Sequence, residues 1–149
     1  MTLFNPIEVL STLISIQSLS KEEEPALHFM QSILKSYDIN FKTELNNVWA
    51  KNKYFDSNKR TILLNSHLDT VKPNKGYTRD PFQPDIENGK LYGLGSNDAG
   101  GALVSLLGTF LHFFNEKDLP FNLVFAASAE EEISGKNGME SLFPRLPKI

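Results

Sequence analysis

The segment of residues 61–71 constrains the fold most strongly, because an apolar run ends there in two side chains that can bind metals. Residues 61–64 are β-prone and unbroken, which is typical of a strand buried on both faces of an α/β sheet. Residues two apart in a strand point to the same side, so His67 and Asp69 share a face where the run stops. Open α/β sheets bind ligands at that end of their strands. The pattern predicts a binding site, although a His-x-Asp pair is equally consistent with an inert, hydrogen-bonded loop.

Length and composition are those of a soluble protein with one domain. The 149 residues are enough to bury a substantial core, and 40% hydrophobic with 22% charged residues is a globular composition. A formal net charge of −3 without a basic block argues against a nucleic-acid partner. Since no apolar run could span a membrane and no secretion signal is recognisable, we expect a cytoplasmic protein without membrane partners. The chain has no cysteine, so any metal must be held by histidine, aspartate or glutamate.

Helical and strand patterns alternate along the chain and predict a three-layer α/β sandwich. Pro6 marks the first turn of a helix with an apolar stripe. Two asparagines separate the strands of a hairpin predicted for residues 39–54, and Asn88-Gly89 predicts a type I′ turn in a second hairpin, residues 85–92. We expect a mixed, mostly parallel central sheet with the 39–54 hairpin at its edge.

Two runs of three glutamates occur in different contexts. Residues 22–24 follow Ser20, a favourable N-cap, and Glu23 would complete a capping box at the positive end of a helix dipole. Residues 130–132 directly follow a buried strand predicted for residues 121–127. Adjacent like charges there raise the pKa of one another and reduce stability unless a cation is near. The first run therefore needs only a structural role, whereas the second indicates a cation site.

A glycine-rich segment, residues 93–101, leads directly into an apolar helix predicted for residues 102–114. Such a segment can hold a phosphate at a helix start, but Asp98 in its middle would repel an anion. A carboxylate there either caps the helix or ligates a metal, and the residues alone leave both uses open. Histidine and carboxylate ligands without sulfur suit a catalytic zinc, with cobalt or manganese as substitutes. One further carboxylate would serve as general base, which favours metal-assisted hydrolysis over metal storage.

Three motifs follow one another along the chain: Ser66-His67-Leu68-Asp69-Thr70-Val71, Gly93-Leu94-Gly95-Ser96-Asn97-Asp98 and Ala129-Glu130-Glu131-Glu132. In this order and at this spacing they resemble the motifs of the dizinc aminoacylase and deacylase metallopeptidases. The resemblance covers residues 6–149 and implies a zinc-peptidase-like catalytic domain that acts on a small N-acyl amino acid. The segment that begins at the last residue of the second motif, residues 98–101, is most similar to the acetylornithine deacetylase branch, which implies N-acetyl- or N-succinyl-L-ornithine as substrate in arginine biosynthesis.

The resemblance also implies which side chains hold the metals. His67 would ligate one of two zinc ions, and Asp98 would bridge both. Asp98 would be followed by a cis peptide bond to Ala99. Glu132, as the last glutamate of its run, would be a further ligand.

Two other residues receive catalytic roles from the same resemblance. Asp69 would orient the imidazole of His67, and Glu131 would act as general base that transfers a proton from water to the leaving amine. Because three glutamates are consecutive, the register of these roles stays open by one position, with Glu130 standing where many members carry aspartate.

Family members are considerably longer than this chain and include a dimerisation (lid) domain, a further acidic ligand and a C-terminal histidine ligand. No histidine follows His112 here. We therefore expect residues 1–149 to be the N-terminal part of an incomplete catalytic domain, inactive alone, whose full-length form is a homodimer. The alternatives are a dizinc dipeptidase or aminopeptidase-like exopeptidase, an inactive remnant of such an enzyme, and a phosphate- or nucleotide-binding module.

Overall fold

A computed structural model describes residues 4–149, in which three α-helices and six strands follow one another. Among these residues, no helix combines the length and the apolar character that crossing a bilayer requires. The helices are α1 (Pro6–Ser15), α2 (Glu24–Ser36) and α3 (Ala102–Phe113). The strands are β1 (Phe41–Glu44), β2 (Asn47–Lys51), β3 (Thr61–His67), β4 (Asp85–Glu87), β5 (Lys90–Tyr92) and β6 (Asn122–Ser128).

The central sheet has the order β1-β2-β6-β3 and is mixed, as predicted, with the first hairpin at its edge. The expectation of a mostly parallel sheet is wrong for the described strands, because only β3 and β6 are parallel. The reason is the hairpin itself. A short turn after Glu44 reverses the chain, so β2 pairs antiparallel with β1. The strand of the hairpin that lies beside β6 is β2, and it runs antiparallel to β6 as well. The connection from β3 to β6 runs through α3 and returns the chain in the same direction, so this pair is parallel.

Strand β6, and not β3, is the buried centre of the sheet. Every residue of β6 is buried, whereas Ile62 of β3 is 43% exposed. The expectation that residues 61–64 are buried on both faces is therefore wrong. Among the described strands β3 lies at the edge, and an apolar run has the same appearance in either position.

Side chains of β6 alternate between two apolar layers, which gives the predicted three-layer arrangement. Phe125 and Ala127 pack with residues of α2 and α3 on one face of the sheet. Val124 and Ala126 pack on the other face with Leu142, from the C-terminal helical turns. This alternation fixes the register of β6, and with it the direction in which the chain leaves the strand after Ser128.

Two local signals are confirmed, the helix start at Pro6 and the turn at Asn88-Gly89, and a third is not. The Asn5 side chain accepts hydrogen bonds from the amides of residues 7 and 8 at the start of α1. Asn88 and Gly89 have φ values of 51° and 75°, as a type I′ turn requires. The capping box predicted for α2 is wrong, because the N-cap residue is Glu23 rather than Ser20 and its side chain makes no capping hydrogen bond to the helix. Ser20 and Glu23 bind elsewhere, as described below.

Candidate metal centre

Side chains from three separate segments meet at the carboxyl end of β3. Nε2 of His67 lies 3.0 Å from Oδ1 of Asp98. The same nitrogen lies 3.6 Å from Oε2 of Glu131. One ligand atom from each of His67, Asp98 and Glu132 lies within 4.8 Å of the other two. An imidazole and three carboxylates thus share one small region of the surface.

The ring of His67 is held in one orientation. It is 7% exposed, and its Nδ1 lies 2.8 Å from the backbone carbonyl oxygen of Asp69. A carbonyl oxygen can only accept, so Nδ1 donates to it and Nε2 is the nitrogen that faces Asp98. Burial disfavours the charged ring, but hydrogen bonds with Asp69 and Asp98 outweigh it and raise the pKa of His67 to about 9. Nε2 is therefore a basic nitrogen that a divalent cation could occupy in place of a proton.

The buried carboxylate of Asp69 joins the imidazole to the glutamate run. Its Oδ1 lies 3.4 Å from Nδ1 of His67 and accepts from the Glu131 amide at 3.0 Å. Its Oδ2 accepts from the Glu132 amide at 3.1 Å and from the Ser20 hydroxyl at 2.7 Å. Burial disfavours the charged carboxylate, yet the hydrogen bonds from His67, Ser20 and the two amides lower the pKa of Asp69 to about 2. One ionised side chain thus orients both the ring and the backbone that carries the glutamates.

Asp98 lies on a tight turn that glycine makes possible. The turn at residues 96–101 contains a cis peptide bond between Asp98 and Ala99, which the family resemblance implied. The Gly100 amide donates to the Gly95 carbonyl at 2.7 Å, and a Cβ on Gly100 would lie only 2.6 Å from that oxygen. Gly95 itself has a φ of 76°, in the left-handed region. The loop thereby holds the 80% exposed side chain of Asp98 beside the buried ring of His67.

The three consecutive glutamates point in different directions. Glu130 has a φ of 53°, and its carboxylate accepts from the backbone amide and the side-chain amide of Asn137. Glu131 and Glu132 follow in a 3₁₀ turn and approach His67 and Asp98. Glu130 therefore binds a neighbouring loop, whereas the next two residues face the cluster.

The donor set fits a divalent cation. The pKa of Glu132 is raised by burial and by the negative charge of Asp98, although the nearby His67 opposes that shift. Carboxylates that repel one another beside an imidazole are relieved when a cation binds between them. Nitrogen and oxygen donors without sulfur suit zinc, and also cobalt or manganese.

Comparison with known proteins agrees with this geometry. The sequence profile of peptidase family M20/M25/M40 matches residues 63–148, more than half of the chain. The chain belongs to this family. The metallopeptidase family that the three motifs resemble is thus confirmed, whereas the acetylornithine branch is not distinguished by this match.

Curated M20-type relatives are similar over nearly the whole chain. The [LysW]-lysine/[LysW]-ornithine hydrolase of Sulfurisphaera tokodaii is 37% identical over 134 residues, which cover 89% of this chain and 34% of that protein. Succinyl-diaminopimelate desuccinylase 2 of a Ruegeria species is 28% identical over 147 residues, covering 93% of this chain and 36% of that protein. The chain thus spans about a third of the length of these relatives.

Solved M20 structures share the fold. The metallo-carboxypeptidase Sso-CP2 of Sulfolobus solfataricus superposes with a TM-score of 0.74 at 21% identity, over 88% of this chain and 32% of that one. The YXEP protein of Bacillus subtilis, described as a dinuclear metal binding peptidase, gives a TM-score of 0.67 at 17% identity, over 93% of this chain and 38% of that one. The α/β fold class is thereby confirmed.

The structure brings together every site residue that the sequence predicted for this M20-family chain, and it adds two that sequence reasoning missed. Ser20 and Glu23 form a local pattern that is also typical of a helix cap, so nothing in the sequence indicated that they bind to Asp69 and to the 130–132 run. The predicted residues brought together are His67, Asp69, Asp98, Glu131 and Glu132.

Proposed function

We propose that residues 1–149 are the N-terminal part of the catalytic domain of a metal-dependent amidohydrolase that removes an N-acyl group from an amino acid. The observation that carries the proposal is the convergence of His67, Asp98 and Glu132 beside a third carboxylate, the exposed one of Glu131. The rest of the protein would supply a lid domain, through which it dimerises, and the C-terminal catalytic segment. The whole enzyme would be a cytoplasmic homodimer, and this chain alone would be inactive.

In this proposal the site holds two zinc ions, with cobalt or manganese as substitutes. His67, Asp98 and Glu132 would be among the ligands that hold these ions. When bound, a pair of such ions polarises a scissile carbonyl and makes a water molecule more acidic. Asp69 would keep the His67 ring in place through Nδ1, so that Nε2 stays directed to the site.

Glu131 would be the general base. Its side chain is 60% exposed and its Oε2 is 3.6 Å from Nε2 of His67, so it borders the site while remaining accessible to water and substrate. A carboxylate in this position would accept a proton from the attacking water and deliver it to the leaving amine. Its neighbour Glu132 differs, because it is less exposed and carries a raised pKa, as befits a group whose charge a cation would offset.

The proposed substrate class is inferred in part from the names of the relatives. One relative's name specifies ornithine and another's specifies a succinyl group. Together with the resemblance of residues 98–101 to the acetylornithine deacetylase branch, these names favour N-acetyl-L-ornithine or N-succinyl-L-ornithine, from arginine biosynthesis, as the substrate of the proposal.

The test uses the protein in its full natural length, treated with chelator and then reloaded with zinc. We expect zinc-dependent release of ornithine from at least one of the two acylated ornithines, and loss of that activity in Asp98→Ala. Asp118→Ala, which removes an exposed carboxylate after α3, is the matched control and should keep full activity. Hydrolysis of dipeptides alone would replace the proposal with an exopeptidase. Hydrolysis of succinyl-diaminopimelate alone would contradict the ornithine assignment, and no hydrolysis of any amide would contradict the enzyme class.

A further inference from the structure

Four consecutive backbone amides, those of residues 129–132, each donate to a buried side-chain oxygen from a distant part of the chain. We call residues 129–132 the glutamate turn. Its acceptors lie before α2, at the start of β2 and just after β3. The bonds run from Ala129 to Oδ1 of Asn47 (2.8 Å), from Glu130 to Oε1 of Glu23 (3.1 Å), from Glu131 to Oδ1 of Asp69 (3.0 Å) and from Glu132 to Oδ2 of Asp69 (3.1 Å).

Glu23 is the acceptor whose presence in the core is hardest to explain by folding alone. It is 0% exposed, although a buried carboxylate is unfavourable unless hydrogen bonds or a cation compensate for the lost water. It does not cap α2. Instead Oε1 accepts from the amide of Lys21 at 2.7 Å as well as from Glu130, and Oε2 accepts from Nδ2 of Asn46 at 2.8 Å.

Glu23 accepts its hydrogen bond from Glu130, the most constrained residue of the glutamate turn. Glu130 has φ 53° and ψ 25°, a left-handed conformation that residues with a Cβ rarely adopt. Such a conformation persists only where surrounding contacts determine it. Here the Glu130 amide is held by Glu23, and its carbonyl accepts from the Gly135 amide at 2.9 Å. This reversal is what turns the next two side chains back toward His67.

We propose that Glu23 is a positioning residue for hydrolysis. Its buried carboxylate fixes the Glu130 peptide, so that Glu131 and Glu132 are directed at the site formed with His67 and Asp98. The inference rests on the proposed function for the roles of Glu131 as base and Glu132 as ligand. Small displacements of a reacting group reduce rates steeply, so a loosened turn should slow the chemical step more than it weakens substrate binding.

Two substitutions at Glu23, made in the full natural protein, separate the effect of side-chain length from that of charge. Glu23→Gln keeps an oxygen at the right length for the Glu130 amide, and its new NH₂ group can donate to Asn46 once that amide is turned around. Glu23→Asp keeps the charge but shortens the side chain by one methylene. Positioning therefore predicts that Gln retains kcat within about threefold of wild type, whereas Asp lowers kcat and zinc affinity by about 10- to 100-fold with little change in KM.

Asn122→Leu is the matched control. Asn122 is also fully buried and polar, but it lies at the opposite end of β6, where its side chain bonds to Asp56, Lys59 and Thr61. Its substitution should lower the melting temperature while leaving kcat, KM and zinc affinity at the wild-type level.

The outcomes distinguish this inference from the proposed function on which it rests. Wild-type protein that neither binds zinc nor hydrolyses an acylated ornithine would overturn both. A hydrolysing wild type with a Glu23→Asp variant of unchanged kcat and zinc affinity would overturn the inference alone. The inference would also be overturned if Glu23→Asp retained activity and Glu23→Gln lost it, because that result would assign Glu23 an electrostatic role.

Discussion

The two runs of three glutamates, residues 22–24 and 130–132, have the same composition and different surroundings. In the first run Glu22 and Glu24 are exposed and only Glu23 is buried. In the second run Glu130 is buried, and the two residues after it turn toward His67. The buried members meet, because Glu23 accepts a hydrogen bond from the Glu130 amide. A run that sequence reasoning assigned to a helix cap is thus part of the framework of the site.

The largest expected difference between the runs is in activity. Glu131→Gln should reduce kcat by about 10²- to 10⁴-fold, because an amide cannot accept the proton of the attacking water. Bound zinc should stay at the wild-type level, since Glu131 is not among the proposed ligands. Glu22→Gln is the equivalent change in the other run and should leave kcat unaltered. Equal kcat values for the two variants, measured with acylated ornithine at saturating zinc, would contradict the role of Glu131.

A second expected difference concerns pH, because only the second run lies against His67. The pKa of His67 is about 9 in the folded protein, compared with an ordinary value of 6.5. The folded state therefore holds the proton more tightly. The resulting stabilisation is complete below pH 6.5 and is lost as the pH rises through 9.

The check is urea unfolding of chelator-treated protein at a series of pH values. Between pH 6.5 and 9 the free energy of unfolding of wild type should fall relative to that of His67→Gln. The relative loss should be at most about 3 kcal/mol. Parallel curves for the two proteins would show that His67 does not carry the raised pKa.

A smaller effect is expected at Ser20, which precedes the first run and donates to Asp69. Ser20→Ala removes one donor from a buried carboxylate and should lower the free energy of unfolding by about 2 kcal/mol. Ser32→Ala is the control, because that hydroxyl is exposed and donates only to the Phe29 carbonyl in its own helix. Equal unfolding midpoints in urea for the two variants would indicate that Ser20 acts as an ordinary surface residue.

The smallest effect is expected at the exposed members of the first run. Glu22→Ala and Glu24→Ala should each change the free energy of unfolding by less than about 0.5 kcal/mol, because neither side chain is buried. Thermal unfolding of both variants beside wild type measures this. A large loss of stability in either variant would support the interpretation of this run as a helix cap.

Much of the fold could be predicted from local signals. Asn88-Gly89 specified its turn, and the apolar runs before His67 and Glu130 marked two neighbouring strands whose ends meet. These signals depend on residues close in sequence, and so they are visible without the fold.

What the sequence did not predict depends on partners far along the chain. The sequence is consistent with Ser20 either capping α2 or binding Asp69, 49 residues away, and only the packed structure distinguishes these two contacts. The position of β3 at the sheet edge likewise follows from how β2 pairs with β6. The directions of the three consecutive glutamates follow from the backbone of Glu130, whose left-handed conformation is not a preference of glutamate.

The central claim, that His67, Asp98 and Glu132 hold metal ions, is tested most directly by metal stoichiometry. Zinc, cobalt and manganese are measured in purified full-length protein, in Asp98→Ala and in the control Asp118→Ala. We expect two metal ions per chain in wild type and in Asp118→Ala, and loss of metal in Asp98→Ala. Wild-type protein without metal, or equal metal content in all three proteins, would contradict it.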